Sequence, residues 1–395
     1  MTTFMPDFTI REAVRKVLPY MMEMREYFHA RPELSGNEFD TCRTIFRELS
    51  LMGVTDIKII AGTGVTGIIR GNLPGPTVLL PAKIDALPVN EADACPYASL
   101  FPGIMHASGH DGDTATLLGL AKLLLRHKDC LRGTIRLVFE PESEKYGSVT
   151  KLIDNGILAQ PRCDYAVNLK LDSTLGKGRI GFGSDVCLAS RDDFTITFVG
   201  KGGHCTQVSA TDSVLQKGVI FLNTVNAYME QVNKERPVAL VSFGQFQCGN
   251  LSTTIPETAE IKGTVRTYDD DLRQRILARL RDLCDEDCRW QHCFVSPVGR
   301  NNEALCAAGE EILRAYGGDR ITPVPLVPDF RADDFSRFAE FLPTLSCFAG
   351  IAENIPLPSH YSGFLWDSSL LKYACEALAL LVYYLPSYVK QEKTI

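Results

Sequence analysis

Short β-type runs alternate with helical patterns from the N-terminal region to about Gly183, and the alternation resumes near Glu303. Parallel strands need a crossover of a dozen or more residues, usually a helix, so this order selects a mostly parallel α/β sheet. The expected helices are Thr9–Ala30, broken or restarted at Pro19, then Asn37–Met52 stopping at Gly53, Thr114–Arg126 and Glu144–Asn155. The expected strands are Val65–Arg70, Thr77–Leu80 running on to Asp85, Thr134–Phe139 and Tyr165–Leu169. In such sheets ligands bind beyond the carboxyl ends of the strands, and polar residues there draw attention first.

Between the two α/β stretches the pattern changes. Strand Phe194–Val199, helix Ser213–Val232, strands Val238–Phe246 and Ala259–Thr267, helix Asp270–Leu283 and a strand near Phe294 follow in order. That β-α-β-β-α-β succession is the ferredoxin-like arrangement. The expected architecture is a discontinuous α/β domain, residues 1–189 and 297–395, interrupted by a smaller α+β domain, residues 190–296. After the insert, helices are expected near Glu303–Tyr316 and Ser368–Leu385 around a strand at Thr344–Phe348.

Composition narrows the function classes. With 48 acidic against 41 basic residues the formal charge is −7, so no cationic footprint for nucleic acid is present. No run reaches the roughly 18 uninterrupted apolar residues of a membrane span. The opening Met1–Asp7 lacks the cationic and apolar regions of a secretory signal. Thirteen cysteines, an odd number scattered along the chain, read as reduced thiols in a cytoplasm.

Only seven histidines are available, so each can be weighed. The densest polar cluster is Met105-His106-Ala107-Ser108-Gly109-His110-Asp111-Gly112-Asp113. Imidazole and carboxylate there suit a divalent metal or acid–base work, and equally a helix cap. Glu140-Pro141-Glu142-Ser143-Glu144 sets three carboxylates after a strand, either for chemistry or as acidic residues opening a helix. His204 and His360 lie in turns and stay ambiguous. Cys284, Cys288 and His292 recur every four residues, a weak hint of zinc that a helix-to-strand passage would disperse. His29, His127 and Trp290 read as structural. No phosphate loop or dinucleotide fingerprint occurs.

Taken together, six ordered segments resemble the zinc amidohydrolases that include aminoacylases, hippurate hydrolases and indole-acetyl-amino-acid hydrolases. They are His29–Ser35, Asp85–Val89, Met105–Asp111, Gly200–His204, Gly263–Thr267 and Ala332–Ser336. The resemblance implies cleavage of an amide bond by a metal centre and a glutamate base, in an N-acyl amino acid or small peptide-like substrate. It implies metal-site positions at Ser108, His110, Glu144, Lys170 and His360, and the base position at Ser143. It also implies a carbonyl-polarising role for His204, a carboxylate-holding role for Arg266, and a substrate contact at Thr253. A homodimer formed through the smaller, lid-like domain is implied as well.

Departures from the family's pattern concentrate where the chemistry is. Ser108 stands for a cysteine, Ser143 for the glutamate base, Lys170 for a histidine, Lys83 for an aspartate and Asp113 for a histidine. Lys83 changes the formal charge by two, and Lys170, Ser108 and Ser143 by one each, while Asp113 takes one back. The net gain equals the charge of two divalent cations. Protonated lysine has no lone pair for a metal. The cofactor expectation is therefore one zinc or manganese on His110, Glu144 and His360, or none. Asp85 and Glu142 join the catalytic expectation, Glu142 as a displaced base. The alternatives are a non-catalytic small-molecule-binding homologue, or metal-independent amide or amine chemistry using Lys83 or Lys170, including the synthetic direction.

Overall fold

The computed structural model describes residues 8–92, 95–145, 147–183, 185–206, 213–327, 329–353 and 356–388. The opening Met1–Asp7, weighed above as a signal sequence, lies outside them. The chain divides into two compact units. The larger runs to Asp185 and takes in Arg300–Val327 and everything from Arg337; the smaller is Val186–Gly299 with Pro328–Ser336. The segment Pro328–Ser336 was expected within the larger domain, but its packing puts it with the smaller one.

Twelve strands matter for the argument. In the larger unit are β1 (Thr55–Ile60), β2 (Gly64–Arg70), β3 (Leu73–Lys83), β4 (Arg132–Glu140), β5 (Tyr165–Gly176) and β6 (Arg179–Phe182). The smaller unit holds β7 (Arg191–Val199), β8 (Ala239–Cys248), β9 (Thr258–Thr267) and β10 (Cys288–Ser296); β11 (Thr322–Pro325) and β12 (Thr344–Ala352) return to the larger. The helices are α1 (Ile10–Ala30), α2 (Phe39–Met52), α3 (His110–Arg126), α4 (Ser148–Asp154), α5 (Val214–Val232), α6 (Asp270–Asp282), α7 (Glu303–Tyr316) and α8 (Leu371–Tyr388).

In the larger unit one eight-stranded sheet runs β1-β2-β4-β3-β5-β12-β6-β11. Its centre, β4-β3-β5-β12, is parallel, and antiparallel joins flank it. The central strands read as continuous apolar runs because both of their faces are covered. Helix α1 packs on α3 and α8. It stays helical through Pro19, against the expected break, because Val14, Val17, Met21, Met24 and Phe28 continue one buried stripe past the proline. Helix α2 ends as expected at Gly53, whose φ of 82° is left-handed. The apolar span Ser368–Tyr388 is long enough to cross a membrane, but 83% of it is buried inside the fold, as befits a core helix.

The smaller unit has its own core beneath a four-stranded antiparallel sheet, β8-β9-β7-β10, with Phe194, Ile196, Phe221, Val225, Ile261 and Ile276 among its buried residues. Strand–helix–strand–strand–helix–strand in sequence, with this strand order, is the ferredoxin-like arrangement. The hint of zinc at Cys284, Cys288 and His292 does not survive. His292 lies on β10 with its Nε2 2.7 Å from Asp192, which also takes both forks of Arg273 at 2.6 Å. Among the described residues no three His, Cys, Asp or Glu side chains gather to hold a metal.

Candidate active site

Four segments of the larger unit converge beyond the carboxyl ends of its parallel strands. Lys83 ends β3, and its register partner on β4 is Glu140. Two residues on, the chain reaches Asp85, which is fully buried. Helix α3 begins at His110 rather than at the expected Thr114, because Gly109 at φ 89° turns the chain into it. Helical phase then sorts the polar cluster: His110 and Asp113 share a face, and Asp111 points elsewhere.

Asp85 is the hub. It accepts hydrogen bonds from the Ser35 hydroxyl at 2.6 Å, the Ser143 hydroxyl at 2.5 Å and the Glu144 amide at 2.8 Å. Its Oδ1 also lies 3.1 Å from His110 Nδ1. Burial alone would raise the Asp85 carboxyl, but the hydrogen bonds and charge of His110, with the two serine hydroxyls, hold it well below the usual carboxylate range. Burial likewise opposes protonation of His110, and its bond to Asp85 outweighs that and pushes the imidazole up. His110 Nε2 faces Glu144 Oε1 at 4.0 Å. The Glu144 amide is committed to Asp85, so α4 starts only at Ser148, after Gly147, and not at Glu144 as expected.

Asp113 is buried, and its Oδ1 accepts the Leu171 amide of β5 at 3.0 Å. Burial raises its carboxyl to about 6, against the nearby charges of His110 and Lys170. Through its charge Lys170 thus acts on both His110 and Asp113. It sits inside β5 as the register partner of Phe348, since the ladder runs to Gly176 rather than stopping at Leu169. Behind the cluster, Asp111 receives Arg25 Nε at 3.2 Å and lies 2.9 Å from His29 Nδ1. The opposite nitrogen of His29 meets Glu91 at 3.1 Å. His127 and Trp290 stack on Phe8 and Phe194 respectively.

The remaining expected residues are placed less centrally. The Glu142 carboxylate is paired with Lys151, and its backbone adopts φ 53° while its amide donates to Glu38. His360 is exposed, at φ 62°, and its amide donates to the Ala107 carbonyl at 2.8 Å, which ties its turn to the loop before Ser108. Ser108 Oγ is buried without a hydrogen-bond partner. In the smaller unit, exposed His204 pairs its Nδ1 with Thr206 at 2.8 Å, and Arg266 donates to the Phe330 carbonyl at 2.9 Å. The Thr253 carbonyl accepts the Cys205 amide at 3.0 Å. Sequence reasoning missed Ser35 as a donor to Asp85 and Glu140 as the neighbour of Lys83. A serine after a helix and a glutamate closing a strand carry no local signal of either role.

The donor set does not fit a dinuclear metal centre. A buried hydroxyl, Ser108, and an amine side chain, Lys170, stand at two of the ligand positions the resemblance implies, and among the described residues His110, Glu144 and His360 do not form a three-ligand group.

Known proteins are similar to this chain over most of its length. The chain is 31% identical to thermostable carboxypeptidase 2 of Saccharolobus solfataricus over 390 residues, covering 94% of this chain and 97% of that one. It is 31% identical over 340 residues to the N-acetyl-L-cysteine deacetylase of Bacillus subtilis, covering 84% and 80%. The crystal structure of the Bacillus subtilis YXEP protein, described as a dinuclear metal binding peptidase from the M20 family, superposes with a TM-score of 0.76. That match has 26% identity and covers 95% of this chain and 100% of the other. Residues 79–382 match the model of Peptidase family M20/M25/M40, and the chain belongs to that family.

Proposed function

We propose that this chain hydrolyses the amide bond of an N-acyl amino acid or small peptide-like substrate bearing a carboxylate. The observation that carries the proposal is His110, buried, held at Nδ1 by Asp85 and turned at Nε2 towards Glu144. An imidazole oriented by a carboxylate is suited to taking a proton from water and returning it to a leaving amine. A lysine ammonium beside it, Lys170, is suited to stabilising the negative charge that develops on the carbonyl oxygen. The names of the relatives, a deacetylase and a carboxypeptidase, support the amide class. The roles implied for Arg266, His204 and Thr253 towards substrate belong to the same proposal. So does the cofactor reading of one zinc or manganese, or none.

One observation favours a second reading, binding without turnover. Ser143 stands at the base position and its hydroxyl is engaged with Asp85. A panel of N-acyl amino acids, assayed with and without chelator, separates the readings. Hydrolysis that is lost in Asp85→Asn and in His110→Ala supports the enzyme. Chelator-resistant hydrolysis lost in Lys170→Ala assigns lysine chemistry. Absence of turnover with ligand-induced thermal stabilisation overturns hydrolysis in favour of binding.

The homodimer is also a proposal. Leu215, Val219 and Ile220 form an exposed apolar row on α5, beside the edge strand β8 with its exposed Leu240 and Phe246. Thirteen cysteines outside any disulfide support a reducing, cytoplasmic location.

A further inference from the structure

The mismatch between this site and a metal pair points beyond loss. Two ammonium groups occupy the carboxyl-end cluster, and each comes with a buried carboxylate. Lys83 and Glu140 are register partners on adjacent parallel strands, so their side chains leave the sheet on the same face, within one strand spacing. Glu140 is 1% exposed. Lys170, on the next strand across, acts electrostatically on Asp113, which is 7% exposed and anchored to the Leu171 amide. β3 and β5 are neighbours in the sheet, paired at Val78–Tyr165 and Leu79–Ala166, and Lys83 and Lys170 each lie four residues beyond the last pair, towards the carboxyl ends of the two strands. The Lys83 carbonyl accepts the Thr114 hydroxyl at 2.8 Å, fixing this strand end to the first turn of α3, where Asp113 also lies.

We infer that Lys83–Glu140 and Lys170–Asp113 form a fixed four-membered ion network in the place where a metal-binding relative holds two cations, so that the folded chain carries no metal pair. The physical reason is compensation. A cluster of buried carboxylates, here Asp85, Asp113 and Glu140, is costly unless cations neutralise it. Covalently attached ammonium groups supply that charge without any ligand-binding equilibrium. They also repel a divalent cation approaching the same cluster, and while protonated they offer it no lone pair. The network is independent of whether the site turns substrate over, and its test reads metal content and stability rather than activity.

Full-length protein, expressed with supplementary zinc and manganese and dialysed, should hold no more than one equivalent of either metal by elemental analysis. Two equivalents would overturn the inference. A double-mutant cycle then tests the network itself. Lys170→Met alone should lower the melting temperature by several degrees, because it strands Asp113, and adding Asp113→Asn should restore most of that loss. Additive losses in the double variant would show that the two groups are not coupled. Should Lys170→Met fail to fold, Asp113→Asn alone, read against Asp113→Asn with Lys170→Gln, keeps the same comparison.

Discussion

The Ser143 hydroxyl donates to the Asp85 carboxylate at 2.5 Å, across 58 residues of sequence. Ser143, which the resemblance sets at the base position, is thereby a structural donor to the buried anion that orients His110. Hydrogen bonds to a buried charge contribute more than neutral ones. Ser143→Ala should cost about 2 kcal/mol in denaturant unfolding, since Asp85 is fully buried and loses one of its donors. A cost indistinguishable from zero would show that water replaces the hydroxyl.

Arg25 is buried completely and serves three groups: Asp111 at 3.2 Å, the Trp366 carbonyl at 2.8 Å and the Ser368 hydroxyl at 2.6 Å. Its guanidinium also lies 3.7 Å from the Trp366 ring centre. Arg25→Met strands the Asp111 carboxylate and should cost roughly 3 to 5 kcal/mol. Arg25→Lys should recover only part of this, because an ammonium cannot serve the same fork of acceptors. Chemical denaturation of both variants decides the matter.

Acid should destabilise the fold through His106. The ring is buried, neither of its nitrogens has a hydrogen-bond partner, and burial lowers its pKa to about 4. The unfolded chain binds that proton near pH 6.5. The native state therefore binds fewer protons, and the stability is fully present above pH 6.5 and lost as pH falls to 4. The total is roughly 3 kcal/mol. His29 and His110, shifted upward, act in the opposite sense, so the comparison is best made against His106→Asn. The stability difference between wild type and that variant should shrink as pH is lowered from 7 to 4.

Ile220 is 64% exposed on α5, next to exposed Val219. Ile220→Asp should convert a dimer to monomer in sedimentation velocity, with an unchanged circular dichroism spectrum. Monomeric wild type at micromolar concentration would remove the dimer proposal.

Much of the fold was legible locally. Gly53 closes α2, Asn302 caps α7 through the Leu305 amide, and Asp269 caps α6 through the Leu272 amide, each a signal within a few residues. Other boundaries moved for reasons lying far away in sequence. β5 runs past polar Lys170 and Asp172 because β12 continues the ladder beside it, and backbone pairing is indifferent to those side chains. Helix α4 starts late because the Glu144 amide is drawn to Asp85.

The sequence by itself determined the order of strands and helices, the inserted β-α-β-β-α-β unit and the family, since periodicity, caps and ordered motifs are written in neighbouring residues. The resemblance it carries also implies departures from the family's pattern at Lys83, Ser108, Asp113, Ser143 and Lys170. Only the tertiary structure decided which polar groups meet. Asp85 gathers Ser35, His110, Ser143 and Glu144, Glu142 is taken by Lys151, and His292 is taken by Asp192. Strand register and helix phase set those meetings between residues as much as 100 positions apart, and no local pattern records them.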